Sequence, residues 1–141
     1  MTPQDHALLQ LLKANAREST AELARKLGLS RTTVQDRIRR LERAGVIAGY
    51  TVRLDGQLGQ RQIRAEVLLN VNPKQTERVI KELKSRSKVA ALYAVSGAFD
   101  YLATIVGDST QDIDRILDDL GKVAGIERTQ TLVILSVKFE R

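Results

Sequence analysis

Residues 20–44 constrain the fold of this chain more than any other stretch, because two amphipathic helical patterns meet there at a single glycine. The first pattern is an apolar stripe formed by Leu23, Ala24 and Leu27. The second has apolar residues at i, i+4 and i+7, namely Val34, Ile38 and Leu41. Ser19 and Glu22 predict a capping box, Gly28 favours the left-handed conformation that ends a helix, and Ser30 is a good N-cap. The stretch therefore predicts a helix-turn-helix.

The exposed face of the second predicted helix, residues 30–44, carries groups that hydrogen-bond to nucleic acid. Arginine, amide and hydroxyl groups on a helix read base edges and phosphates in the major groove of DNA. A basic face is also common on helices that are merely solvated. The residues that we expect to contact DNA are Ser30, Arg31, Thr32, Thr33, Gln35, Asp36, Arg39 and Arg43.

The distribution of charge favours a polyanionic partner. The 141-residue chain has a formal net charge of +6. Residues 1–54 hold ten basic and five acidic residues, whereas residues 55–141 hold thirteen and twelve. Much of the excess lies within two helical turns, at Arg37, Arg39, Arg40 and Arg43. The basic segment thus coincides with the predicted helix-turn-helix, as double-stranded DNA requires.

Composition narrows the class of protein. A hydrophobic content of 43% supports a packed core, and the absence of cysteine rules out disulfides and thiolate metal sites. No apolar run reaches the length of a membrane span, and the first residues resemble no secretion signal. We therefore expect a cytoplasmic protein without a membrane partner, a metal or a cofactor.

The first 54 residues predict a winged helix-turn-helix domain. Thr2, Pro3 and Asp5 form the opening pattern of a first helix. Its apolar stripe is formed by Ala7, Leu8, Leu11, Leu12 and Ala16. Gly45 ends the third helix, and residues 46–54 are typical of a strand, a glycine turn and a second strand, which would be the wing. Residues 55–60 have two glycines and few apolar side chains, and predict a linker.

Residues 61–141 predict a second domain with the element order βαββαβ. Strands are expected at residues 63–71, 89–96, 101–106 and 127–139, because apolar residues alternate or cluster there. One helix follows Asn72-Pro73, with Val79, Ile80 and Leu83 inward. The other follows a cap at Ser109, with Ile113, Ile116, Leu117 and Leu120 inward. This order is ferredoxin-like, and the whole chain is of the α+β class.

The final predicted strand is apolar on both faces. Val133, Leu135, Val137 and Phe139 lie on one side, and Leu132 and Ile134 on the other. Helices in this order cover only one face of the sheet, so the other face needs a cover. We expect that cover to be a second copy of the chain, which predicts at least a homodimer.

The chain resembles the Lrp/AsnC, or feast/famine, family of leucine-responsive and asparagine-activated regulators over nearly its whole length. The matching pieces of the first half are LL (11–12), NAR (15–17), ELA (22–24), GLS (28–30), RIRRLE (37–42), GVI (45–47) and GY (49–50). Those of the second half are VSGAFDYL (95–102), which is similar to the family's glycine–aspartate turn, and GIERTQT (125–131). The order of these pieces makes the resemblance specific.

The resemblance implies a transcriptional regulator with an N-terminal DNA-binding winged helix. It also implies a C-terminal domain that dimerises, often assembles to octamers, and senses a small effector, commonly an amino acid. In such proteins the effector lies between subunits near the turn that precedes the third strand. Gly97 would offer backbone amides to a carboxylate, and Asp100 would hold an ammonium group. The expected effector-binding residues are Ser96, Gly97, Ala98, Phe99, Asp100, Tyr101, Thr129 and Thr131.

Three alternatives to this hypothesis remain open. Residues 97–100 also make a good hairpin turn, in which Asp100 bonds only to backbone. Sirohaem decarboxylases share the two-domain architecture, but an enzyme of that kind needs acid–base groups in a pocket, and His6 is the one histidine here. A winged helix that binds protein instead of DNA is the third possibility.

Overall fold

The structure is a computed structural model that describes residues 1–54 and 62–141. The chain divides into two compact units, Met1–Arg53 and Leu54–Arg141. The linker predicted at residues 55–60 lies outside the described residues. In the described part of the chain, no helix has both the length and the apolarity that crossing a membrane requires.

The first unit consists of three helices around one core. They are α1 (Pro3–Ala14), α2 (Thr20–Leu27) and α3 (Arg31–Arg43). The buried core residues are Leu8, Leu12, Leu23, Ala24, Val34 and Leu41. The stripe predicted for α1 was partly wrong, because Ala7 and Ala16 are exposed and Leu9 packs against the core instead.

The predicted helix starts are confirmed in detail at α1 and in part at α2. At α1 the Asp5 amide donates to Thr2 Oγ1 at 3.1 Å, and the Thr2 amide donates to Asp5 Oδ2 at 2.9 Å. This is a complete capping box with Pro3 in the first turn. At α2 the Glu22 amide donates to Ser19 Oγ at 3.1 Å, but the Glu22 carboxylate accepts from Arg25 Nη2 at 2.9 Å rather than from the cap.

The predicted wing hairpin was wrong, since residues 46–54 contain no strand. The amides of Val46 and Ile47 both donate to the Leu41 carbonyl, at 3.0 and 3.1 Å, and only the Ile47 side chain packs against the core. Tyr50 and Val52 are 56% and 77% exposed. An isolated two-stranded hairpin is marginal in water, and more than half of the surface of these two side chains is in solvent.

The second unit is a four-stranded antiparallel sheet with the predicted βαββαβ order. The strands are β1 (Ile63–Val71), β2 (Val89–Ala94), β3 (Tyr101–Gly107) and β4 (Ile126–Val133), and the spatial order is β2-β3-β1-β4. The helices are α4 (Thr76–Lys84), which follows a short 3₁₀ turn at Pro73–Gln75, and α5 (Thr110–Gly121). The α+β class predicted from sequence is confirmed.

Both helices pack on one face of the sheet. The core residues from the strands are Ala65, Val67, Leu69, Val71, Ala103 and Ile105, and those from the helices are Val79, Leu83, Ile113, Ile116 and Leu120. The cross-strand pairs Val67–Ala103 and Leu69–Tyr101 share that covered face. Ile80, predicted to point inward on α4, is 39% exposed. The other face is formed by alternate strand residues, and no helix within residues 1–54 and 62–141 packs on it. We call it the open face.

The last strand is shorter than predicted and ends at Val133 instead of Phe139. β4 pairs only with β1, and the ladder ends with Val133 opposite Ala65 and the Ile134 amide bonded to the Arg64 carbonyl at 2.9 Å. Arg64 and Ile63, the first residues of β1, have strand partners on β3 but none on β4. Beyond that point Leu135 and Phe139 are 93% and 77% exposed.

Candidate nucleic-acid interface and ligand loop

The turn between α2 and α3 has the geometry that the sequence predicts. Gly28 has a φ of 66°, which is the left-handed region that glycine adopts without strain. The Leu29 amide donates to the Ala24 carbonyl at 3.0 Å, and the Thr33 amide donates to Ser30 Oγ at 3.1 Å. The chain therefore enters α3 through a fixed turn and a capped first helical turn, which holds the helix in one orientation.

The expected DNA contacts lie along the solvent side of α3. Ser30 and Thr33 have their hydroxyl oxygens 2.8 Å apart at the N-cap, so both side chains are engaged in capping. The other six expected residues are exposed: Arg31, Thr32, Gln35, Asp36, Arg39 and Arg43. They present guanidinium, amide, hydroxyl and carboxylate groups to solvent from a single helix.

Two further arginines of α3 donate hydrogen bonds to Asp5 of α1. Arg37 Nη1 donates to Asp5 Oδ1 at 2.9 Å and Arg40 Nη2 donates to the same oxygen at 2.8 Å. Arg37 also donates to Thr2 Oγ1 at 3.1 Å and to Gln4 Oε1 at 2.8 Å. We call these five residues the Asp5 cluster. It ties the start of α1 to the second half of α3.

Asp5 is the buried charged residue of this cluster, with 2% of its surface exposed. The backbone N–H of Thr2 and the Arg37 guanidinium outweigh the effect of desolvation and hold the pKa of the Asp5 carboxyl well below its usual range. Asp5 therefore stays ionised at neutral pH and binds two guanidinium groups at once.

The loop between β2 and β3 contains most of the residues expected to bind an effector. Gly97 has a φ of 112°, where a side chain would be strained. The Val95 amide donates to the Asp100 carbonyl at 3.0 Å, and the Asp100 amide donates to the Leu69 carbonyl at 2.9 Å. Asp100 Oδ2 accepts a hydrogen bond from the Val71 amide at 3.0 Å. The Asp100 carboxylate thus fastens the loop to the end of β1.

The structure brings some of the other expected ligand residues to the same end of the sheet. Leu69 has Tyr101 opposite on one side and Thr129 opposite on the other, while Thr131 lies one pair further along, opposite Val67. Phe99 is 8% exposed. Its ring centroid lies 4.9 Å from the guanidinium carbon of Arg128.

Tyr101 also lines an apolar cleft of about 410 Å³ between α4 and β2. The other lining residues are Ile80, Leu83, Lys84, Val89, Ala91, Leu92 and Ala94. Among the expected effector residues, Tyr101 is the one that reaches this cleft. The cleft and the loop are therefore neighbouring features and do not form one lined pocket in the single chain.

Comparison with protein families identifies both units. Residues 1–48 match the winged helix-turn-helix DNA-binding model, and residues 64–141, more than half of the chain, match the Lrp/AsnC ligand binding domain. The chain belongs to the Lrp/AsnC family. It is a DNA-binding transcriptional regulator of the Lrp/AsnC type.

Relatives of similar length carry the same description. The HTH-type transcriptional regulator LysM of Sulfurisphaera tokodaii is 30% identical over 96% of this chain and 95% of its own. The HTH-type transcriptional regulator LrpA of Pyrococcus horikoshii is 31% identical over 94% of each. Both relatives are thus matched almost from end to end.

Solved structures of the Lrp/AsnC family have the same fold. Escherichia coli AsnC superposes with a TM-score of 0.87 at 22% identity, covering 100% of this chain and 96% of its own. The feast or famine regulatory protein of M. tuberculosis, complexed with L-methionine, has a TM-score of 0.85 at 29% identity. That alignment covers 97% of this chain and 93% of the neighbour.

Sequence reasoning placed Arg37 and Arg40 in the basic segment but did not predict their hydrogen bonds to Asp5. Asp5 had already been assigned to the capping box, so no further partners such as Arg37 and Arg40 were sought for it. A usable signal was present, since Arg37 and Arg40 are spaced i, i+3 and so share one side of α3. The hydrogen bond from the Val71 amide to Asp100 Oδ2 joins residues 29 apart in sequence, and no local sequence pattern predicts it.

Proposed function

We propose that α3 reads a specific DNA sequence in the major groove, with Arg31, Thr32 and Gln35 near base edges and Arg39 and Arg43 at phosphates. The observation that carries this proposal is a capped helix with an exposed row of arginine, hydroxyl and amide groups. Residues in the first half of a recognition helix approach the bases, whereas later arginines reach the backbone. We propose that this activity is exercised in the cytoplasm.

A binding assay with a selected high-affinity duplex and a scrambled duplex tests the proposal. Gln35→Ala should reduce the preference between the two, at about 1–3 kcal/mol for a lost base contact. Arg39→Ala should weaken binding to both duplexes alike, and Arg115→Ala, an exposed arginine of α5, is the matched control. Unchanged affinity and unchanged preference in both α3 variants would rule out this assignment.

The same titration separates the alternatives. Binding to phosphates gives a strong dependence of affinity on salt, whereas a protein-binding winged helix or a decarboxylase gives no such slope with DNA. A flat salt dependence would favour one of those two alternatives.

We infer that two copies associate through the open face and present two recognition helices to successive major grooves. Register places Tyr93, Leu102 and Leu68 side by side across β2, β3 and β1 on this face. Glu66 on the same face is satisfied within the chain, since it accepts from Thr104 Oγ1 at 2.7 Å and from Arg64 Nε at 3.0 Å. A dimer that assembles further to an octamer should then recognise an imperfect palindrome.

We also propose that a free amino acid binds beside the loop of residues 96–101, at a contact between subunits. Gly97 in its positive-φ conformation leaves room for a carboxylate near the backbone amides, and Thr129 supplies a hydroxyl across β1. The structural neighbour complexed with L-methionine supports this class of effector. One oxygen of Asp100 is engaged by Val71, so an ammonium group would use the other.

Calorimetry against the standard free amino acids tests effector binding. Asp100→Asn keeps an oxygen for the Val71 amide and removes the charge, so it should abolish ligand binding while preserving DNA binding without ligand. Asp100→Ala should lose both the ligand and some thermal stability of the second unit, because the Val71 amide loses its partner. If no amino acid binds at millimolar concentration, or if Asp100→Asn binds its ligand normally, the loop is only a turn.

A further inference from the structure

Arg40 lies on the solvent side of α3 although one of its nitrogens is bound to Asp5. Its side chain is 59% exposed, whereas the Asp5 side chain is 3% exposed. It precedes Arg43 by three residues, so these two arginines are neighbours on the helix surface. Arg40 therefore adjoins the exposed row of α3 at Arg43.

The hydrogen bond to Asp5 leaves most of the Arg40 guanidinium open. A guanidinium has five N–H donors, and Asp5 Oδ1 receives one of them at 2.8 Å. The outward edge remains available for a phosphate oxygen. Because the carboxylate is buried and anchored by the Thr2 amide at 2.9 Å, it holds a long and flexible side chain near one position before DNA arrives.

Charge balance within the Asp5 cluster favours the same role. The Arg37 side chain is only 18% exposed, and its guanidinium donates to Thr2, Gln4 and Asp5. Arg37 therefore neutralises the Asp5 carboxylate from the buried side of the cluster. Two guanidinium groups share one carboxylate, which leaves the cluster with a net positive charge. That charge lies at the exposed member, Arg40.

We propose that Arg40 is a further phosphate-contacting residue of α3 and that Asp5 is its positioning residue. The inference rests on the proposed function of α3 as the DNA-reading helix. It adds to that function Asp5, an acidic residue of α1. A carboxylate by itself repels DNA phosphates, whereas Asp5 contributes by holding an arginine in place.

The test is the dependence of DNA affinity on salt, measured with the full-length protein and a mixed-sequence duplex, for which binding depends on phosphates. Arg40→Gln should lower the slope of log affinity against log salt by about 0.9 for each lost phosphate contact. Affinity at low salt should fall several-fold. Arg115→Gln removes the same charge from the second unit and should leave the slope unchanged.

Asp5→Asn tests positioning, since the amide still accepts from the Thr2 amide but no longer binds the guanidinium as an anion. It should lower the slope nearly as far as Arg40→Gln, and the double variant should be no worse than Arg40→Gln alone. A purely structural role for Asp5 would lower thermal stability and leave the slope of the folded protein unchanged, which overturns the positioning role. If Asp5→Asn does not fold, Asp5→Glu is the second variant, because it keeps the charge and displaces the carboxylate. Asp5→Glu should give a slope between those of the native protein and Arg40→Gln. A native slope in Asp5→Glu would overturn the proposal.

The outcome for Arg40 is separable from the outcome for α3 itself. A native slope in Arg40→Gln together with a reduced slope in Arg39→Gln overturns the inference and leaves the proposed function intact. Native slopes in both variants overturn the two together.

Discussion

At the scale of single residues, Asp5 links two roles that sequence patterns treat separately. It completes the cap of α1 and binds two arginines of α3 through one oxygen. Buried carboxylates persist when they are paired and hydrogen-bonded, and Asp5 meets both conditions. The orientation of the recognition helix against α1 therefore depends on the ionised form of one side chain.

The lowered pKa of Asp5 predicts a defined pH dependence of stability. Because the pKa is lower in the folded chain than in the unfolded chain, ionised Asp5 stabilises the folded state fully above the unfolded value of about 3.9. That contribution is lost progressively as pH falls below about 4 toward the folded pKa. The difference in unfolding free energy between the native protein and Asp5→Asn should be constant from about pH 6 to about pH 8. The same difference should shrink as the solution becomes acidic.

Urea titrations at a series of pH values measure that difference directly. Asp114→Asn, at an exposed site on α5, is the control and should show no comparable convergence. A difference that grows as the pH is lowered would contradict the ionised Asp5 cluster.

At the scale of secondary-structure elements, caps and partner strands set the boundaries. The starts of α1, α2, α3 and α5 follow side-chain caps at Thr2, Ser19, Ser30 and Ser109, all of which were visible in the sequence. The ends of strands were not visible, because the end of β4 is set by where its pairing with β1, a distant part of the chain, stops. The wing hairpin predicted at residues 46–54 was also wrong, because a two-stranded hairpin without a third strand is marginal in water.

The cap of α3 makes a prediction that separates helix stability from DNA contact. Ser30→Ala should lower the unfolding free energy by about 1 kcal/mol, since the Thr33 amide loses its acceptor. Ser30→Asp should restore stability, because aspartate is an equally good N-cap. It should nevertheless weaken DNA binding, since it adds a negative charge at the end of α3 that we propose to enter the major groove, and the polyanionic DNA repels it.

Thermal unfolding and DNA titration of the same three proteins provide the measurement. Equal DNA affinity in Ser30→Asp and the native protein would show that the start of α3 lies away from the DNA backbone. Ser109→Ala, which removes the corresponding cap from α5, should lower stability without affecting DNA affinity.

At the scale of the whole molecule, the described helices of the unit with the Lrp/AsnC ligand-binding fold all pack on one face of its sheet. Tyr93 and Leu132 are 56% and 51% exposed, and Leu135, Val137 and Phe139 extend beyond the last strand. Each large apolar side chain transferred from water contributes roughly 1.5–3 kcal/mol before the cost of association. These exposed apolar side chains support the proposed association with a second copy.

Leu102→Glu should convert the protein to a monomer in light scattering, because it introduces a charge in the middle of the row formed by Tyr93, Leu102 and Leu68. The monomer should keep its helical content, since the open face faces solvent in the single chain. Ile80→Glu replaces an exposed apolar residue on α4 and is the matched control, with native oligomeric state expected. A native protein that is monomeric at micromolar concentration would remove the basis of this proposal.

The sequence by itself determined the helix-turn-helix, its caps and its glycine turn, the βαββαβ order and the exposed row on α3. These features depend on neighbours within about one helical turn or on alternation along one strand, so local chemistry is sufficient. Tertiary structure alone decided that Arg37 and Arg40 bind Asp5, that Asp100 is fastened to Val71, that residues 46–54 form no hairpin and that β4 ends at Val133. Each of these depends on which distant groups meet when the core closes, and no periodicity in the chain encodes that meeting.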